Sequence, residues 1–419
     1  MRGVRAAAIG GVTALALSAT LAMAGPALGG APPPGRTPPL AAAPYMGWNP
    51  YYGVGGTFGE RTIVSVASAL IDRGLAAAGY RIVWLDFGWA SGKRGPAGTL
   101  LIDRRQWPHG LRWLTAWLHQ HGLLAGIYTD AGASGCSHRG VGSLGHYQQD
   151  ANAFAAWGFD AVKVDFCGAG QEGLDPRAAY ARFATALAHN SAHRPMVLNV
   201  DNFWAPGQID GRRPSYAESA FANYRWAPRI AQSWRTDTDV GYTRSILFKN
   251  VLRNLDADAA HPLAARPGHW NDPDYLGPGL GMNSTEAQAQ LSMWAIVAAP
   301  LILGSDPRGL SPRNVAILEN RQVIEVDQDP LGIQGRLVRR SGSAQVWVKR
   351  LIGGQVAIAL LNRGTRRLRI TTTAADSGLP AASGYRLQNL WTHAVSVSSR
   401  LITAEVPRHS VVLYLAVAS

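Results

Sequence analysis

The stretch Trp157-Gly158-Phe159-Asp160-Ala161-Val162-Lys163-Val164-Asp165-Phe166-Cys167 carries the residues best suited to chemistry. Ala161–Val164 reads as a short buried strand, and alternation puts Lys163 and Asp165 on one face with Val162 and Val164 on the other. A buried parallel strand normally stays apolar to its end. A lysine and a carboxylate together at its C-terminal end point to a site, because α/β barrels place their chemistry there. The competing reading is a structural ion pair.

Acidic residues recur wherever a strand is expected to stop: Asp86, Asp130, Asp165, Asp239, Asp272 and Asp274. Single aspartates after strands are commonly helix caps or turn formers. These six lie among aromatic residues: Trp48, Tyr51, Trp84, Trp89, Tyr128, Trp234, Trp270 and Tyr275. Acids with aromatic faces suit a sugar, whose hydroxyls take hydrogen bonds and whose C–H face stacks on rings. Two opposed carboxylates are also the minimum machinery for glycoside hydrolysis. Other chemistries fit worse. His269-Trp270-Asn271-Asp272 lacks spaced partner histidines for a metal, Gly53–Gly59 matches no phosphate-loop spacing, and no serine sits in a nucleophile elbow.

Eight strands are expected to hold these residues: Tyr45–Asn49, Arg81–Phe87, Leu123–Asp130, Ala161–Phe166, Pro195–Val200, Gln232–Thr236, Gly268–Asp272 and Leu301–Gly304. Helical patterns between them, at Leu111–His121, Ala151–Trp157 and Ala178–His189, make the strands mostly parallel, so residues 44–329 are expected to form a TIM (β/α)8 barrel. After Asp329 the texture changes. Gln345–Lys349, Val356–Leu361, Arg366–Thr373 and Ser410–Ala416 alternate and are β-branched, with Gly353-Gly354 as a turn. Residues 330–419 are therefore expected to be a C-terminal antiparallel β domain, a sandwich or open barrel, with no ionisable cluster at a strand end.

At the N-terminus, Arg2 and Arg5 precede an apolar run from Ala6 to Ala22, and Ala22-Met23-Ala24 is a small-x-small cleavage pattern. Residues 1–31 read as a secretory signal and leader, and 32–43 as a Pro-rich linker. No later segment is long enough to span a membrane, so a secreted, soluble protein is expected. The two cysteines, Cys136 and Cys167, agree with an oxidising compartment and read as one disulfide; two isolated cysteines make no zinc site. The net charge of +13 over 419 residues is almost entirely arginine. Residues such as Arg104, Arg139, Arg212, Arg266, Arg321 and Arg400 are scattered rather than gathered with aromatic residues, which argues against nucleic acid and for a soluble basic surface, with a weak attraction to acidic cell-wall polymers as the alternative.

The motifs resemble those of glycoside hydrolase family 27, which contains α-galactosidases and α-N-acetylgalactosaminidases. They are Pro44–Asn49, Trp84-Leu85-Asp86-Phe87-Gly88-Trp89, Gly126–Gly132, Trp157–Cys167, Trp234–Asp239, Gly268–Asp274 and Asp327–Gly332, in the family's order over almost the whole mature chain. The resemblance implies a barrel with a C-terminal β domain and no metal or organic cofactor. It implies Asp165 as nucleophile and Asp239 as acid/base, with Lys163 and Arg235 on ring hydroxyls near the reacting carbon. Trp48, Tyr51, Asp86, Phe87, Tyr128 and Asp274 fall at sugar-binding positions, and Cys136–Cys167 matches the family's disulfide. Lys163 beside Asp165 is expected to favour the ionised carboxylate, whereas Asp239 must begin protonated.

Three positions depart from the family. A second acid usually follows Asp86, and here it is Phe87. The usual Trp of the first loop is Tyr51, and Tyr275 replaces Met after Asp274. The loop Asn199-Val200-Asp201-Asn202-Phe203 differs as well. The reaction expected is retaining cleavage of terminal α-D-galactosyl residues from an oligo- or polysaccharide. The alternatives are a β-L-arabinopyranosidase, an isomalto-dextranase-like glucan hydrolase and, from another class, a non-catalytic sugar-binding protein.

Overall fold

All eight expected barrel strands form. The computed structural model describes residues 40–136, 140–202, 222–242 and 245–419. In it the strands are β1 (Met46–Trp48), β2 (Ile82–Leu85), β3 (Leu124–Asp130), β4 (Ala161–Asp165), β5 (Val197–Asp201), β6 (Ser233–Arg235), β7 (Trp270–Asp272) and β8 (Leu301–Leu303). They make one sheet, every pair parallel, with β8 against β1. The ring closes beyond β7, where Leu276 N–H donates to Ile302 O (2.8 Å) and Gly304 N–H to Leu276 O (2.7 Å). The leader, the linker up to residue 39, Arg139, Arg212 and Phe203 lie outside the described residues.

Helices cover the outside of the ring, so outward positions are as apolar as inward ones are polar. Val162 and Val164 are wholly buried on the outer face of β4. The expected helices appear as Leu111–Gln120, Tyr147–Trp157 and Pro176–Ala188. The last starts where Asp175 accepts the Ala178 N–H (2.8 Å) ahead of Pro176, whose missing N–H costs nothing at a first helical position. Inside the ring, Gly126 is required: a Cβ there would lie 2.4 Å from the Trp84 ring, which fills that space.

The C-terminal domain has a six-stranded antiparallel sheet in the order β9 (Arg336–Ser341), β10 (Ala344–Arg350), β11 (Val356–Asn362), β16 (Ser410–Ala418), β13 (Tyr385–Asn389), β14 (Val395–Ser398). Strands β12 (Leu368–Thr373) and β15 (Leu401–Val406) pair as a second layer. Val346, Val348, Ile358 and Leu360 point between the two layers with Ile370 and Ile402, and the alternate residues Trp347, Ala357, Ala359 and Leu361 join the barrel's core. The inner strands β10 and β11 are thus covered on both faces. Helix Ser284–Val297 of the barrel lies beneath them and is buried nearly all round, as a helix apolar on every side must be.

Candidate active site

Strand register places the functional side chains. Tyr128, Lys163 and Asn199 stand level across β3–β5, and two residues on, Asp130, Asp165 and Asp201 form the next level. Arg235 ends β6 level with Asp272 of β7. Inward alternation turns the C-terminal rim into a ring of carboxylates containing two cations. Beneath it is a neutral layer, in which Asn199 Nδ2 lies within hydrogen-bonding distance of Tyr45 Oη (3.0 Å), Ser233 Oγ (2.7 Å) and Asp272 Oδ2 (2.9 Å).

A cavity of about 390 Å³ opens above the ring, within the range of small-molecule sites. Tyr51, Asp86, Phe87, Tyr128, Lys163, Asp165, Arg235 and Asp239 line it, as do Tyr52, Asp201, Tyr242 and Tyr275. Two of the expected sugar-binding residues do not reach it. Trp48 and Asp274 are wholly buried behind its wall. Trp48 Nε1 donates to Ser305 O (2.9 Å), and Asp274 accepts from Tyr52 Oη (2.5 Å) and Val240 N–H (2.7 Å) while pairing with Arg235 (3.0 Å). Asp274 adopts φ +79°, a left-handed conformation unusual for a side chain other than glycine, fastened by its own N–H to Asp272 Oδ1 (2.9 Å).

Lys163 acts on Asp165 as expected, lowering its pKa, but its close ion pairs are with other carboxylates. Its Nζ lies 3.0 Å from Asp86 Oδ2 and 3.0 Å from Asp201 Oδ2. Burial opposes the Lys163 charge, but Asp201 and Asp86 outweigh it and hold the ammonium's pKa above its ordinary value. Burial pushes the Asp165 carboxyl up, and Asp201 and Asp130 add to this against Lys163 and the Phe166 N–H. Even so, both Asp165 oxygens are acceptors: Oδ2 from Tyr128 Oη (2.8 Å) and Oδ1 from Phe166 N–H (2.7 Å). That donor set fits a carboxylate. The Cys136 sulfur lies 3.1 Å from Oδ2 but, being in a disulfide, has no proton to donate.

Asp239 is prepared differently. One oxygen pairs closely with Arg235, and no hydrogen bond from the described residues reaches the other. Its side chain is 30 % exposed. Burial, reinforced by Asp274 and Asp201 and opposed by Arg235, pushes its pKa up to about 7. The surplus of carboxylates adds to burial: among the described residues, Asp86, Asp165, Asp201, Asp239 and Asp274 have only Lys163 and Arg235 as close cations.

Asp201 is the main residue that sequence reasoning missed. It sits one residue past the expected end of its strand, lines the cavity and joins Lys163 to Arg235 (3.3 Å). Burial opposes its ionisation, but Arg235 and then Lys163 hold its pKa below the ordinary value. The rule that collected six strand-end acids extends to it. Tyr275, expected among the aromatic neighbours of the strand-end acids, has Lys163 and Arg235 at 5.4 and 5.6 Å from its ring centroid. Tyr52 and Tyr242 carried no signal beyond being aromatic.

Asp130, by contrast, is structural. Its oxygens accept N–H bonds from Gly132 (2.7 Å), Gly168 (3.0 Å) and Ala169 (3.1 Å), tying the loops after β3 and β4. The Cys136–Cys167 disulfide spans the same two loops. Asp130, Asp165 and the two sulfurs lie within 4.8 Å of one another, a metal-like grouping. The sulfurs are bonded to each other and the Asp130 oxygens are occupied, so the donor set does not fit a metal.

The family model described as "Alpha galactosidase A" matches residues 56–329, and "Alpha galactosidase C-terminal beta sandwich domain" matches 341–416. The chain belongs to glycoside hydrolase family 27. It is therefore an O-glycosyl hydrolase. It is 35 % identical over 357 residues to alpha-galactosidase 2 of Arabidopsis thaliana, covering 85 % of this chain and 84 % of that one. The crystal structure of alpha-galactosidase I from Mortierella vinacea superposes with TM-score 0.81 at 28 % identity, covering 91 % of this chain and 98 % of that one. A family 27 β-L-arabinopyranosidase from Geobacillus stearothermophilus shares the fold at TM-score 0.78 and 19 % identity, covering 90 % and 97 %.

Proposed function

We propose that the protein is a secreted, retaining α-galactosidase acting on terminal α-D-galactosyl residues of oligo- or polysaccharides. The observation that carries the reading is the different hydrogen bonding of two carboxylates facing one cavity: Asp165 accepts hydrogen bonds on both oxygens, whereas no hydrogen bond from the described residues reaches the second oxygen of Asp239, whose pKa is about 7. Asp165 attacks the anomeric carbon while Asp239 gives its proton to the departing oxygen; Asp239 then takes a proton from water, which releases the covalent sugar with net retention. Asp86, Lys163, Arg235 and Tyr128 hold the ring hydroxyls, Tyr51 and Phe87 contact the sugar's apolar faces, and Asp274 and Trp48 position these from behind. The α-galactosidase relatives support galactose as the sugar. The disulfide supports an oxidising, extracytoplasmic destination, and no helix of the described residues is long and apolar enough to cross a membrane.

Phe87 favours a second reading. It lines the cavity, packing edge-on to Tyr128 at 6.1 Å, and it cannot accept a strong hydrogen bond from a sugar hydroxyl. A β-L-arabinopyranoside, which lacks galactose's exocyclic hydroxymethyl, leaves nothing unsatisfied there. Turnover of nitrophenyl α-galactoside, β-L-arabinopyranoside and α-glucoside decides between the readings. Preference for the α-galactoside with a retained product is expected, and turnover of the α-glucoside alone would overturn it. Phe87→Asp should raise the α-galactoside to β-L-arabinopyranoside ratio of kcat/KM at least tenfold, about 1.4 kcal/mol. An unchanged ratio would remove Phe87 from the sugar contacts.

A further inference from the structure

The chain's positive charge is concentrated in the β domain. Residues 44–329 carry 25 basic and 25 acidic side chains, whereas residues 330–419 carry 12 basic and 2 acidic ones. The smaller domain thus supplies +10 of the chain's net charge of +13. We propose that one pole of this domain is a binding surface for acidic polysaccharide, separate from the catalytic cavity.

The pole is made of three turns: those between β9 and β10, β11 and β12, and β15 and β16. Backbone bonds tie them together: Arg363 N–H to Ser343 O (2.9 Å) and His409 N–H to Gly364 O (3.1 Å). Asn362 Nδ2 fastens the last two, reaching Arg366 O (2.7 Å) and Pro407 O (2.9 Å). Arg363, Arg366, Arg367 and Arg408 lie on these turns, and Arg340 is at the end of β9 that enters the first. This corrects the expectation of no ionisable cluster at a strand end. Arg340 and Arg363 share a single carboxylate, Asp256, at 3.3 and 2.6 Å. Arg366, Arg367 and Arg408 are exposed, and none has a carboxylate of the described residues within 4.0 Å.

The position of the pole relates it to the cavity. His409, beside Arg408, stacks on Phe248 (4.9 Å) and lies 2.8 Å from Glu286. Phe248 and Glu286 are in the first turns of helices Phe248–Ala259 and Ser284–Val297, which leave the C-terminal rim of the barrel. The segment before Phe248 carries Tyr242, which lines the cavity. The pole therefore packs against helices that leave the same rim of the barrel onto which the cavity opens.

Guanidinium forks pair with carboxylate, sulfate and phosphate. Each exposed pair is weak, but a polymer meets several at once. None of the three turns carries Phe, Tyr or Trp on which bases would stack, so a glycan fits better than single-stranded nucleic acid.

Retention on immobilised polygalacturonate and on phosphocellulose, neither carrying α-galactose, tests this apart from the proposed catalytic activity. The full-length protein should be retained on at least one of them at about 0.1 M salt, released at about 0.5 M, and pass through neutral galactomannan without salt-sensitive binding. The triple variant Arg366→Ser, Arg367→Ser, Arg408→Ser should bind at least about tenfold more weakly while turning over an aryl glycoside normally. The matched triple Arg336→Ser, Arg350→Ser, Arg386→Ser removes equal charge from the opposite end and should change binding less than about twofold. Equal losses in the two triples, no retention of the parent on either polymer, or retention on DNA-cellulose alone would overturn the proposal.

Discussion

At the residue scale the site is a problem of excess negative charge, and its members settle that excess differently. Asp201 is ionised between two cations, and its field raises the pKa of both Asp165 and Asp239. The general acid must be protonated, so kcat/KM should fall as pH rises through about 7, where Asp239 loses its proton. Asp239→Ala should lose that limb and suffer most on poor leaving groups, whereas Asp165→Ala should be inactive on all substrates. Asp201→Asn removes the raising field and frees Lys163 and Arg235 to act on the catalytic pair. Both limbs of the pH profile should then move to lower pH, with kcat/KM down about tenfold from the loosened cations. A profile that stays in place would mean that Asp201 does not act on the pair. Most of this constellation was legible in the sequence because strand-end aspartates are visible there. The pairing was not: Lys163 and Asp165 are two residues apart on one face, yet Lys163 reaches across the ring to β2 and β5, which only register and closure determine.

At the element scale, the buried barrel strands were readable and four of the sandwich strands were not. Ala161–Asp165 announces itself because helices and neighbouring strands exclude water from it. Strands β9, β13, β14 and β15 were missed. Arg336–Ser341 has an exposed, arginine-rich edge that blunts further pairing, and Val395–Ser398 is short and half serine, so neither shows the alternation of a half-buried strand. The loops after β3 and β4 show how elements support the site. Asp130 and the disulfide fasten them to each other, and Tyr128 and Asp165 stand at their roots. With its ends 31 positions apart, the bridge should stabilise by about 3–4 kcal/mol on a chain-entropy basis. Cys136→Ser with Cys167→Ser should lower the unfolding free energy by that order in denaturant and reduce kcat, because the Asp165 carboxylate loses a rigid wall. Undiminished stability would show that the Asp130 hydrogen bonds alone hold the loops.

At the scale of the whole molecule, the barrel and sandwich meet around a buried acid–base pair that the sequence did not reveal. Alternation in β10 sends Val346 and Val348 into the sandwich and turns Lys349 toward the barrel. There its Nζ donates to the Ala295 carbonyl (2.9 Å) and approaches that of Asp327 (3.3 Å), near the C-terminal ends of helices Ser284–Val297 and Arg321–Asp327. Burial, opposed by Lys349, pushes the Asp327 carboxyl up to about 8; burial, opposed by Asp327, pulls Lys349 down to about 8. Between its ordinary value of about 4 and about 8, Asp327 keeps a proton when folded that it loses when unfolded, so stability declines as pH rises, by at most about 1.4 kcal/mol per pH unit. Between about 8 and the ordinary lysine value of about 10.5, unfolded Lys349 binds a proton that the folded one lacks, and this contribution rises with pH. The junction should therefore be weakest near pH 8. Denaturant unfolding of Asp327→Asn should show a shallower decline from pH 5 to 8 than the parent, with the remaining slope coming from the other raised acids, Asp130 and Asp239 among them. Identical slopes in parent and variant would mean that Asp327 ionises alike in the folded and unfolded chains and does not govern how the two domains hold together.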